Sequence, residues 1–158
     1  MYVCKKVLVS LCCLLTEHHH AVDIPGHNYA PGQTLQVWSC GNGQNQKFVY
    51  NSLTKQISSG NHVGLCISLN SGSNGALPAE LQNCDATKPE QAWTFQDSGI
   101  IQNDHYGKCI DIWSGSNNGQ AVKSYPCHSS ENQQWVSPIH KTFGMIKSEV
   151  PDTNLCSK

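Results

Sequence analysis

Apolar and polar residues alternate in short runs along this chain, and Gly, Asn, Ser and Pro punctuate the runs. LQVW, KFVY and KQIS, then AELQ, AWTF and GIIQ, then CIDIW, AVKSY, QQWVS and GMIKS each have the length and alternation of a strand. Helical spacing of apolar residues is close to absent. The runs belong to three near-copies that start at Ala21, Cys66 and Cys109, 45 and 43 residues apart. Each copy closes on Gln-x-aromatic: Gln46-Lys47-Phe48, Gln91-Ala92-Trp93 and Gln133-Gln134-Trp135. A period of this size marks one supersecondary unit used three times. It predicts an all-β fold with four short strands per repeat, twelve in all, closed into a barrel with hairpin caps. Phe48, Trp93 and Trp135 then supply three equivalent large side chains to one central core.

With 158 residues the chain has room for one domain plus a short N-terminal extension. Charged residues make up 13% and the net charge is −1, so nucleic-acid binding has no electrostatic basis. No run reaches the roughly 20 apolar residues of a membrane span. Lys5 and Lys6 precede the apolar run Val7 to Leu15, which fits a secretory signal, although TEHHHA is a poor cleavage site. Residues 1–18 are therefore read as a signal peptide or N-terminal extension; a first buried strand and a misplaced gene start are the alternatives. Residues 19–158 form the domain, with repeats at about 19–63, 64–106 and 107–158.

Removing a signal takes away Cys4, Cys12 and Cys13 and leaves six cysteines, an even number suited to a secreted, oxidised protein. Cys66/Cys84 and Cys109/Cys127 share a spacing of 18 at corresponding positions, which predicts a bridge within each of these repeats. In repeat one Cys40 has Ala21 where its partner belongs. The remaining Cys156, in TNLCSK, reads like the opening of a fourth repeat, so a Cys40–Cys156 bridge that closes the ring is expected; two unpaired cysteines are the alternative.

The repeats, with Cys-x-Asp-Ile at Cys109, a second Cys and a closing Gln-x-Trp, closely resemble the ricin B-type lectins, also grouped as family 13 carbohydrate-binding modules. The resemblance covers about residues 19 to 158. It implies a β-trefoil of three pseudosymmetric four-strand repeats, with up to three shallow sugar sites, one per repeat. Ala21 for Cys, Phe48 for Trp and Ser68 for Asp depart from the pattern.

A sugar site needs an aromatic face for the apolar side of the ring and polar groups for its hydroxyls. If Cys109 lies opposite Cys127, alternation sets Asp111 opposite Tyr125 on the same face and turns Ile110, Ile112 and Val122 into the core. The same rule sets Asp23 opposite Trp38, with Gln36 beside it and Leu35 and Val37 inward. The resemblance then places the site of repeat one on Asp23, Gln36, Trp38, Asn45 and Gln46. In repeat three the matching residues are Asp111, Lys123, Tyr125, Asn132 and Gln133, with Lys123 departing from the Gln of repeat one. Repeat two has Ser68 for the Asp, Gln82 for the platform, flanked by Glu80, and Glu90 for the Asn; it reads as structural. A lone Asp beside a turn commonly braces a hairpin, and a lone Trp or Tyr is commonly core. Co-occurrence of Asp, aromatic and Asn in two repeats is what favours a site.

His18, His19 and His20 read as an exposed linker rather than a metal site, and no cofactor is implied. Tyr29 and Trp113 could extend the sites from their loops or simply anchor those loops. The favoured function is a secreted, non-catalytic lectin for glycans or polysaccharide of galactose or xylose type. The alternatives are the targeting module of a truncated glycoside hydrolase and, on the same scaffold, a protease inhibitor.

Overall fold

A computed structural model describes residues 6–10, 12–15, 18–70, 76–113 and 117–136. These residues form thirteen short strands: β1 (Lys6–Ser10), β2 (Cys12–Leu15), β3 (His18–Asp23), β4 (Gln36–Ser39), β5 (Lys47–Asn51), β6 (Gln56–Ser59), β7 (Leu65–Leu69), β8 (Ala79–Asn83), β9 (Trp93–Phe95), β10 (Ile101–Asn103), β11 (Lys108–Ile112), β12 (Val122–Pro126) and β13 (Trp135–Val136). A one-turn 3-10 helix precedes the third strand of every repeat, at Gln44–Gln46, Pro89–Gln91 and Glu131–Gln133.

Threefold pseudosymmetry is visible in the pairing. The sheets run β1-β5-β6-β7-β8, β12-β11-β10-β9 and β13-β2-β3-β4. The second strands of the repeats lie next to one another around the axis, through the bridges Thr34 to Glu80, Pro78 to Lys123 and Gln36 to Ala121. Alternation buries Val22, Val37, Ile67, Leu81, Ile110 and Val122 in one core. Phe48, Trp93 and Trp135 are fully buried within it, as the repeat motif predicts. Trp93 donates its indole N–H to the Ile67 carbonyl (3.0 Å) and Trp135 to the Ile110 carbonyl (3.1 Å), equivalent bonds in two repeats. Phe48 has no donor to make the third.

Residues 12–15 hold the place between β13 and β3 that β6 and β10 hold in the other two repeats. Residues 6–10 pair with β5 at the edge of the first sheet. GMIKS, expected as the fourth strand of repeat three, lies outside the described residues, as does Cys156. His20 is not in a linker: it is buried within β3.

The bridges Cys66–Cys84 and Cys109–Cys127 are formed, with Cα–Cα distances of 5.0 and 5.1 Å. Their geometry corrects the expected register by two residues. Cys109 is opposite Tyr125, and Asp111 is opposite Lys123; likewise Asp23 is opposite Gln36 and Ala21 opposite Trp38. Cys84 and Cys127 lie just past the ends of β8 and β12, so each bridge runs diagonally rather than straight across. A shift of two keeps every side chain on its face.

Candidate functional site

In repeat one Asp23 ends β3, and its side chain is only 3% exposed. A buried carboxylate needs donors, and three amides supply them. Gln36 Nε2 donates to Oδ1 at 2.9 Å, while Asn45 Nδ2 and Gln46 Nε2 donate to Oδ2 at 2.6 and 3.0 Å. Gln46 also donates to the Ser39 carbonyl, and its own oxygen accepts the Gly41 N–H, so it ties the carboxylate to the loop after β4. Trp38 stands beside this cluster, 45% exposed. The open cleft between them has a volume of about 610 Å³ and is closed on one side by Pro25, Gly26 and His27. Gly26 and His27 both have left-handed backbone, with φ of 59° and 54°, which for His27 is an unfavourable conformation held at the lip of the cleft.

Repeat three builds the same cluster on β11 and β12. Asp111 is 2% exposed and accepts from Asn132 Nδ2 at 2.9 Å and Gln133 Nε2 at 2.8 Å. Gln133 again ties a backbone loop, through the Pro126 carbonyl and the His128 N–H. His128 Nε2 lies 3.5 Å from Asp111 Oδ2. Two exposed rings adjoin, Tyr125 and Trp113, with centroids 5.6 Å apart at 60°. Lys123, the counterpart of Gln36, places its ammonium 4.8 Å from the centre of the Trp113 ring.

Repeat two differs in a way the sequence reading missed. Its carboxylate has moved across the strand pair: Ser68 on β7 is opposite Glu80 on β8, and Glu80 is buried. Gln82 Nε2 donates to Glu80 Oε1 at 2.7 Å and Asn70 Nδ2 to Oε2 at 3.2 Å. Gln91, the counterpart of Gln46 and Gln133, binds the Asn83 carbonyl, the Asp85 N–H and the Gln56 amide. A pocket of about 370 Å³ remains, lined by Glu80, Asp85, Lys88 and Glu90, with no aromatic face. Donation from Thr87 holds the Asp85 carboxyl below the usual carboxylate range.

The structure brings the ten residues together in two groups, in a strand register two residues from the expected one. His27 and His128 escaped the sequence reading. His128 was detectable by aligning the copies, since it follows Cys127 where Gly41 follows Cys40. Tyr29 does not reach the repeat-one cleft; it packs on the core and stacks on His62, with centroids 4.1 Å apart. Trp113 does adjoin the repeat-three cluster.

A family model, the ricin-type beta-trefoil lectin domain, matches residues 15–135. The chain belongs to this family. No curated protein matches the sequence. Among solved structures, this lectin domain is similar to an agglutinin from Abrus precatorius, at 15% identity and a TM-score of 0.68, covering 85% of this chain and 47% of that one. It is also similar to a non-toxic homologue of type II RIPs from Momordica charantia, in complex with α-methyl-D-galactoside, at 19% identity and a TM-score of 0.68, covering 84% and 48%. A third is the C-half of the earthworm R-type lectin in complex with GalNAc, at 20% identity and a TM-score of 0.66, covering 82% and 96%. The chain spans about half the length of the first two. These likenesses establish the β-trefoil fold, and the family is carbohydrate-binding.

Proposed function

We propose that this lectin domain binds sugars at two shallow sites, one on Asp23, Gln36, Trp38, Asn45 and Gln46, the other on Asp111, Lys123, Tyr125, Asn132 and Gln133. The observation that carries the reading is the pairing, in both repeats, of a buried carboxylate held by side-chain amides with an exposed aromatic ring beside it. Amide donation fixes the carboxylate oxygens so that they can accept from ring hydroxyls, and the ring receives the apolar face of the sugar. The galactoside and GalNAc named for two structural neighbours favour a galactose-type ligand. Repeat two, without a platform, has no site of this kind.

The domain acts without catalysis. Asp23 and Asp111 belong to different repeats, so they cannot serve as the closely spaced acid and base of glycoside hydrolysis. Two weak sites on one rigid body gain by multivalent contact with a glycan-coated surface. The bridged cysteines fit a secreted protein. The test is retention on immobilised galactose and on xylan. Asp23→Ala together with Asp111→Ala should abolish retention on whichever matrix holds the parent protein, with cooperative unfolding preserved. Unchanged retention of the double variant would refute the site assignment.

A further inference from the structure

We propose that the repeat-three site recognises a sugar carrying an anionic group, a carboxylate or a sulfate, whereas the repeat-one site takes an uncharged sugar. The proposal rests on the reading of both clusters as sugar sites, and it comes from the cross-strand pair that holds the carboxylate, Asp23 with Gln36 in one and Asp111 with Lys123 in the other.

In repeat one the residue opposite the carboxylate is Gln36, an uncharged amide that donates to Asp23. The cleft offers no Lys or Arg. In repeat three the residue opposite the carboxylate is Lys123. Its ammonium does not pair with Asp111; among the described residues the ion pairs are Lys55 with Asp104 and His128 with Asp111. Instead the ammonium sits over Trp113, whose ring packs against Tyr125, whose ring meets His128 edge-on at 6.0 Å. Lys123 is therefore the charge against Trp113, the ring that adjoins the Tyr125 platform. A cation over an aromatic face is attracted by the ring quadrupole, but its N–H donors find no acceptor there. An anionic substituent on a sugar stacked at these rings would supply one, in a charge-assisted hydrogen bond. Asp111, already accepting from Asn132 and Gln133, keeps its role toward hydroxyls on the other side of the site.

A bond of this kind contributes enough to shift affinity by about tenfold or more. The experiment uses Asp23→Ala, which leaves repeat three alone, and Asp111→Ala, which leaves repeat one alone. Each is titrated calorimetrically with galactose against galacturonic acid, xylose against glucuronic acid, and galactose against galactose 6-sulfate, at low and high NaCl. In the Asp23→Ala protein, at least one acidic sugar should bind about tenfold or more tighter than its uncharged counterpart, and the preference should shrink as salt rises. Adding Lys123→Gln should remove the preference, and adding Lys123→Arg should keep it. The Asp111→Ala protein should show none. The carboxylate and sulfate arms identify which anion is read. Equal binding of acidic and uncharged sugars by the Asp23→Ala protein, or a preference that survives Lys123→Gln, would overturn the proposal while leaving the site reading intact. An Asp23→Ala protein that folds and binds no sugar of either kind would overturn both.

Discussion

A second carboxylate in the repeat-two pocket should be strongly unfavourable, because each repeat places one acid in the same cross-strand pair. The pairs are Asp23 with Gln36, Ser68 with Glu80, and Asp111 with Lys123. Ser68→Asp would set two buried carboxylates opposite each other, with side chains about 5 Å apart in such a pair. At an effective dielectric constant of about 20 their repulsion is about 3 kcal/mol. Protonating one of them at pH 7 costs about 4 kcal/mol, so neutralisation offers no cheaper escape. Glu80→Gln alone should cost about 1 kcal/mol, as the amides of Gln82 and Asn70 lose a charged acceptor. The two substitutions together recreate the Asp/Gln pair of repeat one, and the double variant should be nearly as stable as the parent. Urea denaturation of all four proteins then yields a coupling energy of about 4 kcal/mol in favour of the pair. Repulsion raises the folded-state pKa of the carboxyls above the unfolded value. The penalty on Ser68→Asp is therefore full above the raised pKa and fades as pH falls toward about 4. A single variant within about 0.5 kcal/mol of the parent at pH 7, or a double variant as unstable as the single, would refute the idea that the carboxylate has moved across the strand pair.

Other outcomes follow from the same geometry. Trp38→Ala and Tyr125→Ala remove exposed rings, so each should weaken its own site by about tenfold or more while shifting stability by less than about 0.5 kcal/mol, as sugar titration and thermal unfolding would show. Trp93→Phe strands the Ile67 carbonyl in the core and should cost about 1–3 kcal/mol by urea denaturation. Replacing Cys66 and Cys84 by Ser should cost about 3 kcal/mol, measured against the parent under oxidising conditions. Gly43→Ala places a methyl group 2.5 Å from Asn45 Oδ1; titration of the Asp111→Ala background should show repeat-one affinity fall with the fold unchanged.

The fold was legible in the sequence because repetition multiplies every signal. Gln-x-aromatic read three times locates Phe48, Trp93 and Trp135, and alternation from them assigns the inward faces. Register was less legible. A disulfide constrains two Cα atoms to within several ångströms but does not say whether they face each other directly or diagonally. Cys84 and Cys127 lie past their strand ends, so the inferred pairs were two residues out, though on the correct face. Glu80 is hidden for a related reason: repeats one and three carry the carboxylate on the first strand, and a cross-strand neighbour can present the same group to the same pocket. His20 was misread because three adjacent histidines look solvated, whereas alternation within β3 turns this one inward.

Residues 12–15 fill a place in the third sheet that the sequence also offers to a second segment. They pair at four positions with β3 and at two with β13, and so complete the third sheet as β6 and β10 complete the others. The sequence offers a second claimant for that place: GMIKS, followed by TNLCSK, runs parallel to KQISS followed by VGLCIS. One gap between two strands holds one strand. If residues 1–18 are removed as a signal peptide, the gap must be refilled or the barrel stays open, with a loss of several hydrogen bonds at about 1 kcal/mol each plus the core contacts beneath. That approaches the whole stability of a domain of this size. A chain of residues 19–158 should therefore fold cooperatively with 144–148 in the gap, and that placement brings Cys156 to Cys40. Peptide mass mapping should find the Cys40–Cys156 bridge in it, and further deletion of 137–158 should abolish folding. A folded 19–158 chain without that bridge would refute the refilling, and an unfolded one would show that residues 12–15 are indispensable to the barrel.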